Sequence, residues 1–186
     1  ESDADQEFLH NLASELSIPI YIQCYDFNVE SVAGLSFEDH ARNVRYESLE
    51  RIAAENNYTH IVTAHSRDDQ LETVLMRILT GTGIYGLRGI DPVRGRIIRP
   101  LLCLSSEEIY GFLRENNIRW REDSTNADLS HPRNRIRHTI LPLIRQNFPV
   151  DTSIPSLADH ARETVGLLDR LTESLPIIRN DEGAML

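Results

Sequence analysis

THIVTAHSRDDQLETVLMRILT, residues 59–80, contains the change of period that decides the fold. Its first six residues are short and rich in β-branched side chains. Ile61 and Val62 form their apolar heart, and the run predicts a strand. From Asp68 onward the apolar positions are Leu71, Val74, Leu75 and Ile78, the i, i+3, i+4, i+7 stripe of a helix over 68–80. A strand that feeds directly into a helix is the repeating unit of a parallel α/β sheet.

The alternation continues on both sides. Upstream, Phe8, Leu9, Leu12, Ala13 and Leu16 predict a helix over 5–16, and IPIYIQC (18–24) predicts a strand. Ser36 fits an N-cap for a helix over 37–56, with Glu38 and Asp39 in its first turn and Asn56 and Asn57 as terminators. Downstream, GTGIYGLRG (81–89) reads as a long turn and RIIRPL (96–101) as a strand. Ser105 and Glu108 form a capping box for a helix ending near Asn117. A loop follows, then a helix over 134–148 interrupted by Pro142. Pro149 and Pro155 mark a boundary before a last amphipathic helix, 156–175. The order predicts an α/β fold: a parallel sheet with helices on both faces, binding ligands beyond the carboxyl ends of its strands.

Composition narrows the class. The 186 residues suit one mid-sized domain or a domain with an appended segment, and 40% are hydrophobic, enough for a core. No apolar run approaches the ~20 residues that span a bilayer, and the acidic start ESDADQEFLH does not resemble a signal peptide. Cys24 and Cys103 match no zinc or C-x-x-C spacing and read as two buried thiols in a reducing cytoplasm. The net charge of −10 is unevenly spread: residues 1–60 carry 3 Arg against 12 acids, residues 88–145 carry 11 Arg against 7. All 19 basic residues are Arg, whose planar fork suits phosphate, so the local excess hints at a polyanionic partner. The chain opens on Glu1 and reads as a piece of a longer protein.

AHSRDDQLET (64–73) crowds His65, Asp68, Asp69 and Glu72 at the strand-to-helix junction. Acids in a first helical turn are favoured by the helix dipole alone, and Asp68 can serve merely as a cap. Asp69 and Glu72, however, stand at i, i+3 on one face. Two such carboxylates can hold Mg²⁺, receive a proton or orient a cationic amine, and spacing does not choose among these. His65 can donate to a phosphate or a base edge, or be an ordinary loop histidine. The glycine run is not G-x-G-x-x-G after a strand and has no Walker lysine. Arg133 and Arg137 stand at i, i+4, either a phosphate site or a solvated basic face. Trp120 is expected in the core rather than under a base.

Five stretches, in order, carry a resemblance: ARNVRY (41–46), AHSRDDQLETVLMRILTGTGIYGL (64–87), IIRPLLCLSSEEI (97–109), REDSTNAD (121–128) and RNRIRHTILPLI (133–144). Together they resemble the tRNA(Ile)-lysidine synthetases of the PP-loop, or N-type ATP pyrophosphatase, superfamily. The resemblance implies an adenine nucleotide alpha hydrolase-like catalytic domain over 1–148. It implies that 149–186 is a helical linker toward a further C-terminal domain. The implied reaction uses ATP to adenylate C2–O of the wobble cytidine of tRNA(Ile). Free lysine then attacks C2, giving lysidine and AMP. On this resemblance Asp69 and Glu72 position Mg²⁺ and the lysine ammonium, and His65 and Arg42 lie near ATP and the adenylated intermediate. Arg133, Arg137 and Asn134, with Asp68 as an undecided member, touch tRNA or substrate. Implied partners are tRNA(Ile) with a CAU anticodon, L-lysine and ATP, with no membrane and with a homodimer open. One departure stands out. The family's Ser-Gly-Gly-x-Asp-Ser phosphate loop has no counterpart, and no Ser-Gly-Gly occurs anywhere. The chain alone is therefore expected to be inactive. Rival readings are a tRNA-thiolating enzyme of the same fold and a non-catalytic RNA-binding module.

Overall fold

A computed structural model describes residues 2–25, 37–122, 126 and 128–174. The chain divides into two compact units, Glu1–Val62 with Gly95–Ile98, and Thr63–Arg94 with Arg99–Leu186.

The first unit contains α1 (Ser2–Glu15), α2 (Phe37–Glu55), β1 (Ile61–Val62) and β3 (Ile97–Ile98). β1 and β3 are parallel, with Ile61 opposite Ile97 and Val62 opposite Ile98, as the alternation requires. Ala53 of α2 packs with Ile61 and Ile97, and Tyr46 and Leu49 close over them. Residues 18–24, expected as a strand, have no ladder partner among the described residues, and Ile18, Tyr21 and Ile22 are exposed. The segment is held by side chains instead: Tyr21 Oη donates to Asn56 Oδ1 at 2.7 Å, and the Tyr25 hydroxyl bonds that of Ser48. The expected cap Ser36 lies outside the described residues.

Three helix ends follow one device. Ser17, Asn57 and Asn117 have φ of 54°, 57° and 53°. After each, the next N–H reaches back into the last turn: Ile18 to Ala13 O, Tyr58 to Ala53 O, Ile118 to Leu113 O. These are Schellman ends, in which a left-handed residue satisfies the orphan carbonyls. Asn57 and Asn117 match the expected terminators. Ser17 carried no such signal, being a poorer left-handed residue than Asn.

The second unit is built on α3 (Arg67–Thr80), which starts one residue earlier than its apolar stripe suggests. Ser66 is the N-cap and Asp69 closes the capping box, a Ser-x-x-Asp spacing visible in the sequence. The glycine-rich connection folds as α4 (Ile84–Leu87) and is tied back to α3. Gln70 accepts the Ile90 N–H at 2.6 Å and donates to Arg88 O at 3.1 Å. It brackets Gly89, whose φ is +64° and where a Cβ would sit 2.5 Å from the Gln70 amide. Arg77 Nη1 caps the carbonyls of Gly86 and Gly89. The glycines therefore serve a close turn, as the sequence suggests.

After β2 (Val93–Arg94) and a 3₁₀ turn (Pro100–Cys103), α5 (Ser106–Glu115) carries the expected Ser105–Glu108 capping box. The helix expected over 134–148 is continuous but not uniform: α6 (Pro132–Arg135), a π turn (Ile136–Ile140), then α7 (Leu141–Arg145). The Leu141 N–H bonds Ile136 O, five residues back. Pro142 has no N–H, and its ring would crowd the carbonyl four residues earlier; the wider turn relieves that contact.

The last helix, α8 (Val150–Ser174), begins six residues before the expected start and contains Pro155. Pro155 removes one backbone bond. Val150, Ile154, Ala158, Ala161 and Val165 form a continuous buried stripe that outweighs it. Val150, Ile154 and Ala158 share one core with Leu71 and Val74 of α3, Ile136 and Leu141. Among the described residues no helix is long and apolar enough to cross a membrane. Cys24 and Cys103, expected to be buried, are exposed. Trp120, expected in the core, is 37% exposed and rests against Tyr110 at 5.5 Å between ring centroids.

Candidate active site

The capping box fixes where the two central acids point. Asp69 Oδ2 accepts the Ser66 N–H at 2.7 Å, so its other oxygen faces away from the cap. Glu72, one turn on, has a side chain with no solvent exposure. The α6–π helix brings two arginines onto this pair. Arg133 spans both acids, Nε to Glu72 Oε2 at 2.6 Å and Nη2 to Asp69 Oδ1 at 2.8 Å. Arg137 grips Glu72 with both edges, Nε to Oε1 at 2.5 Å and Nη2 to Oε2 at 3.0 Å. Its Nη1 donates to Asn126 Oδ1 at 3.2 Å. Two carboxylates thus meet two guanidinium groups, and the cluster has no net charge. Glu72 hydrogen bonding holds the Arg137 pKa above its usual value, against the opposing effect of burial.

Four residues singled out in the sequence therefore converge: Asp69, Glu72, Arg133 and Arg137. The others take different places. The Asn134 side chain is buried, and its amide donates to Asp128 O at 2.9 Å, pinning the preceding loop. His65 Nδ1 lies 2.9 Å from Thr63 Oγ1. Arg42 belongs to the first unit, where its guanidinium lies over Tyr46, 5.2 Å from the ring centroid.

Asp68 does cap a helix, though not its own. Its Oδ2 accepts the N–H of Ser106, first residue of α5, at 2.6 Å, and its Oδ1 meets Arg145 at 2.5 Å. Arg145 in turn binds Asp151 of α8 at 2.7 Å. Neither Arg145 nor Asp151 stood out in the sequence; only the folded chain brings them to Asp68. Burial opposes ionisation of Asp68, but the Ser106 N–H and Arg145 outweigh it and hold its carboxyl below the usual carboxylate range. A lowered folded-state pKa adds stability above the ordinary value, and that stability is lost as pH falls through the lowered one. Asp68→Asn is therefore expected to lower stability at pH 6 and to have a smaller effect at pH 3. Urea unfolding at both pH values measures it; an equal deficit at each would refute the assignment.

A cavity of about 580 Å³ adjoins the cluster, lined by Glu72 and Arg137 together with Arg67, Asp68, Ser106 and Arg145. Its walls carry both signs of charge, which suits a zwitterionic or amphoteric ligand better than an apolar one. The expected Mg²⁺ at Asp69 and Glu72 does not fit this arrangement. Every oxygen of the pair already accepts from a guanidinium or from Ser66, and a divalent cation would face two guanidinium charges. Among the described residues no group of three or more His, Cys, Asp or Glu could hold a metal ion.

Helices alternating with parallel strands, with a polar cavity beside paired acids and arginines, define the class as an α/β domain carrying a charged cavity. The chain belongs to the PP-loop domain family, whose sequence profile matches residues 1–144. It is 38% identical to the tRNA(Ile)-lysidine synthase of Chlorobaculum tepidum over 182 residues, covering 94% of this chain and 55% of that protein. It is 42% identical to the tRNA(Ile)-lysidine synthase of Symbiobacterium thermophilum over 178 residues, covering 92% of this chain and 37% of that protein. The chain thus spans about half the length, or less, of these curated relatives. Among solved structures it resembles the U34-tRNA thiolase NcsA from Methanococcus maripaludis, with a TM-score of 0.63 and 16% identity. That likeness covers 90% of this chain and 56% of NcsA, and it concerns the fold.

Proposed function

We propose that the chain is the catalytic part of a tRNA(Ile)-lysidine synthase. In this reading ATP adenylates C2–O of the wobble cytidine in a CAU anticodon, releasing pyrophosphate. The lysine ε-nitrogen then forms a bond to C2, the C2–O bond breaks, AMP departs with the oxygen, and the amine loses its proton. The observation that carries the reading is the convergence of Asp69, Glu72, Arg133 and Arg137 beside a cavity of mixed charge. A buried carboxylate is a strong partner for a primary ammonium, and it can take the proton that an amine with a pKa near ~10.4 must lose before it attacks. The arginines, permanently charged, suit the phosphates of tRNA. His65 and Arg42 are assigned to the nucleotide by resemblance alone, and residues 149–186 to the passage toward a further domain. ATP is the co-substrate of this reading; Mg²⁺, if the reaction uses it, is not assigned to the Asp69–Glu72 pair.

The test is incorporation of labelled L-lysine into a CAU-anticodon tRNA(Ile) transcript. A full-length protein containing this chain is expected to incorporate lysine in an ATP-dependent manner. Glu72→Gln should reduce that incorporation by at least ~10²-fold, the scale of losing a positioned acid–base group. The 186-residue chain by itself, with no Ser-Gly-Gly stretch, is expected to incorporate none. Lysine-independent transfer of sulfur to the tRNA would replace the reading with thiolation, and salt-dependent tRNA binding without ATP use would replace it with a binding module.

A further inference from the structure

We propose that Arg133 is a built-in competitor for the substrate's ammonium group: it occupies Asp69 and Glu72 until a phosphate draws it outward. The inference rests on the reading that this site takes a primary amine. As the cluster stands, an incoming ammonium finds no open oxygen. Glu72 is fully buried and takes three guanidinium contacts, while Asp69 gives one oxygen to Ser66 and the other to Arg133 at 2.8 Å, with Arg137 more distant at 3.5 Å. One arginine must leave before a cation with three N–H donors can be held.

The two arginines are not equal in this respect. Arg137 grips Glu72 with two edges and is tethered at its far end to Asn126. Arg133 makes one short contact to each acid, its side chain is 41% exposed against 33% for Arg137, and its Nη1 has no partner among the described residues. That outward edge already presents a donor to solvent. A phosphate oxygen there competes for the same fork, because guanidinium binds phosphate as it binds carboxylate. When Arg133 turns out, Asp69 Oδ1 and Glu72 Oε2 each lose their shortest donor, on one helix face, and keep only Arg137 Nη2, at 3.5 Å and 3.0 Å. Arg137 stays behind and holds Glu72 in place. The amine is thus admitted only after a polyanion has docked, and an order of binding is written into one side chain.

The experiment measures equilibrium binding of L-lysine to the full chain and its variants, with thermal melting as the folding control. Arg133→Gln is expected to bind L-lysine at least about ten-fold more tightly than the native chain, a change of ~1.4 kcal/mol. The gain is expected to vanish in the double variant Arg133→Gln, Glu72→Gln. Arg133→Lys, which keeps the competing charge, should remain as weak as the native chain. If the native chain and Arg133→Gln bind lysine equally well, and both through Glu72, the competitor role is wrong while the amine site stands. If no form binds lysine, the amine reading falls and the competitor role with it.

Discussion

Glu72→Gln is expected to cost about 3 kcal/mol of folding stability, the low end of the range for breaking a buried ion pair. The side chain has no contact with water and answers two guanidinium groups at 2.5–2.6 Å. Gln is nearly isosteric, so the loss is electrostatic rather than a cavity. Its amide nitrogen must also face an arginine donor where an acceptor is needed, which leaves a buried donor unmatched. The figure is not larger because Arg133 and Arg137 each keep a third or more of their side chains in solvent and recover part of their hydration. Denaturant unfolding of both proteins measures the difference. A loss below about 1 kcal/mol would mean that the cluster behaves as a surface ion pair.

Leu71→Ala is expected to cost as much or more, about 3–5 kcal/mol, for a different reason. Leu71 has no solvent exposure and sits in the core with Val74, Ile136, Leu141, Val150, Ile154 and Ala158. Truncation leaves a cavity among residues of α3, the π turn and α8, none of which can collapse into it alone. The effect also reaches the site. Leu71 and Glu72 are neighbours on α3, and Ile136 and Arg137 are neighbours on the facing turn. The core that Leu71 and Ile136 share and the ion pair Glu72–Arg137 therefore fix the same approach. Unfolding should show the large loss. Asp69→Asn added to Leu71→Ala should fall short of the sum of the single losses, since coupled contacts do not add. Strict additivity would show that core and cluster are independent.

The sequence made some of this legible and some not. The period change at 59–80, the capping box at Ser105, the parallel pairing implied by alternation, and the four charged residues of the cluster were all readable. Each depends on local spacing or on motifs that carry their own geometry. The strand expected at 18–24 failed because a strand is defined by its neighbour, and β-branched content alone does not provide one. The true start of α8 was hidden by Pro155, a local penalty that a buried stripe of five residues overrides. The Asp68–Arg145–Asp151 chain was hidden for another reason: its members belong to three helices and share no spacing rule. The saturation of Asp69 and Glu72 by arginine, an arrangement that the expected Mg²⁺ does not fit, is a matter of tertiary approach that neither segment reveals alone.

The π turn at Ile136–Ile140 has a consequence for how relatives are aligned. An α-helix and a π turn of the same span hold different numbers of residues, so Arg133 before the turn and the apolar anchors after it are read in different frames. Arg133 belongs to one frame and Leu141 to the other. A relative with one residue fewer between Asn134 and Pro142 could align over its whole length and still present its arginines to the wrong side of the helix. Gap placement across those five residues is therefore expected to decide whether a relative's arginine at the position of Arg133 reaches the same acids.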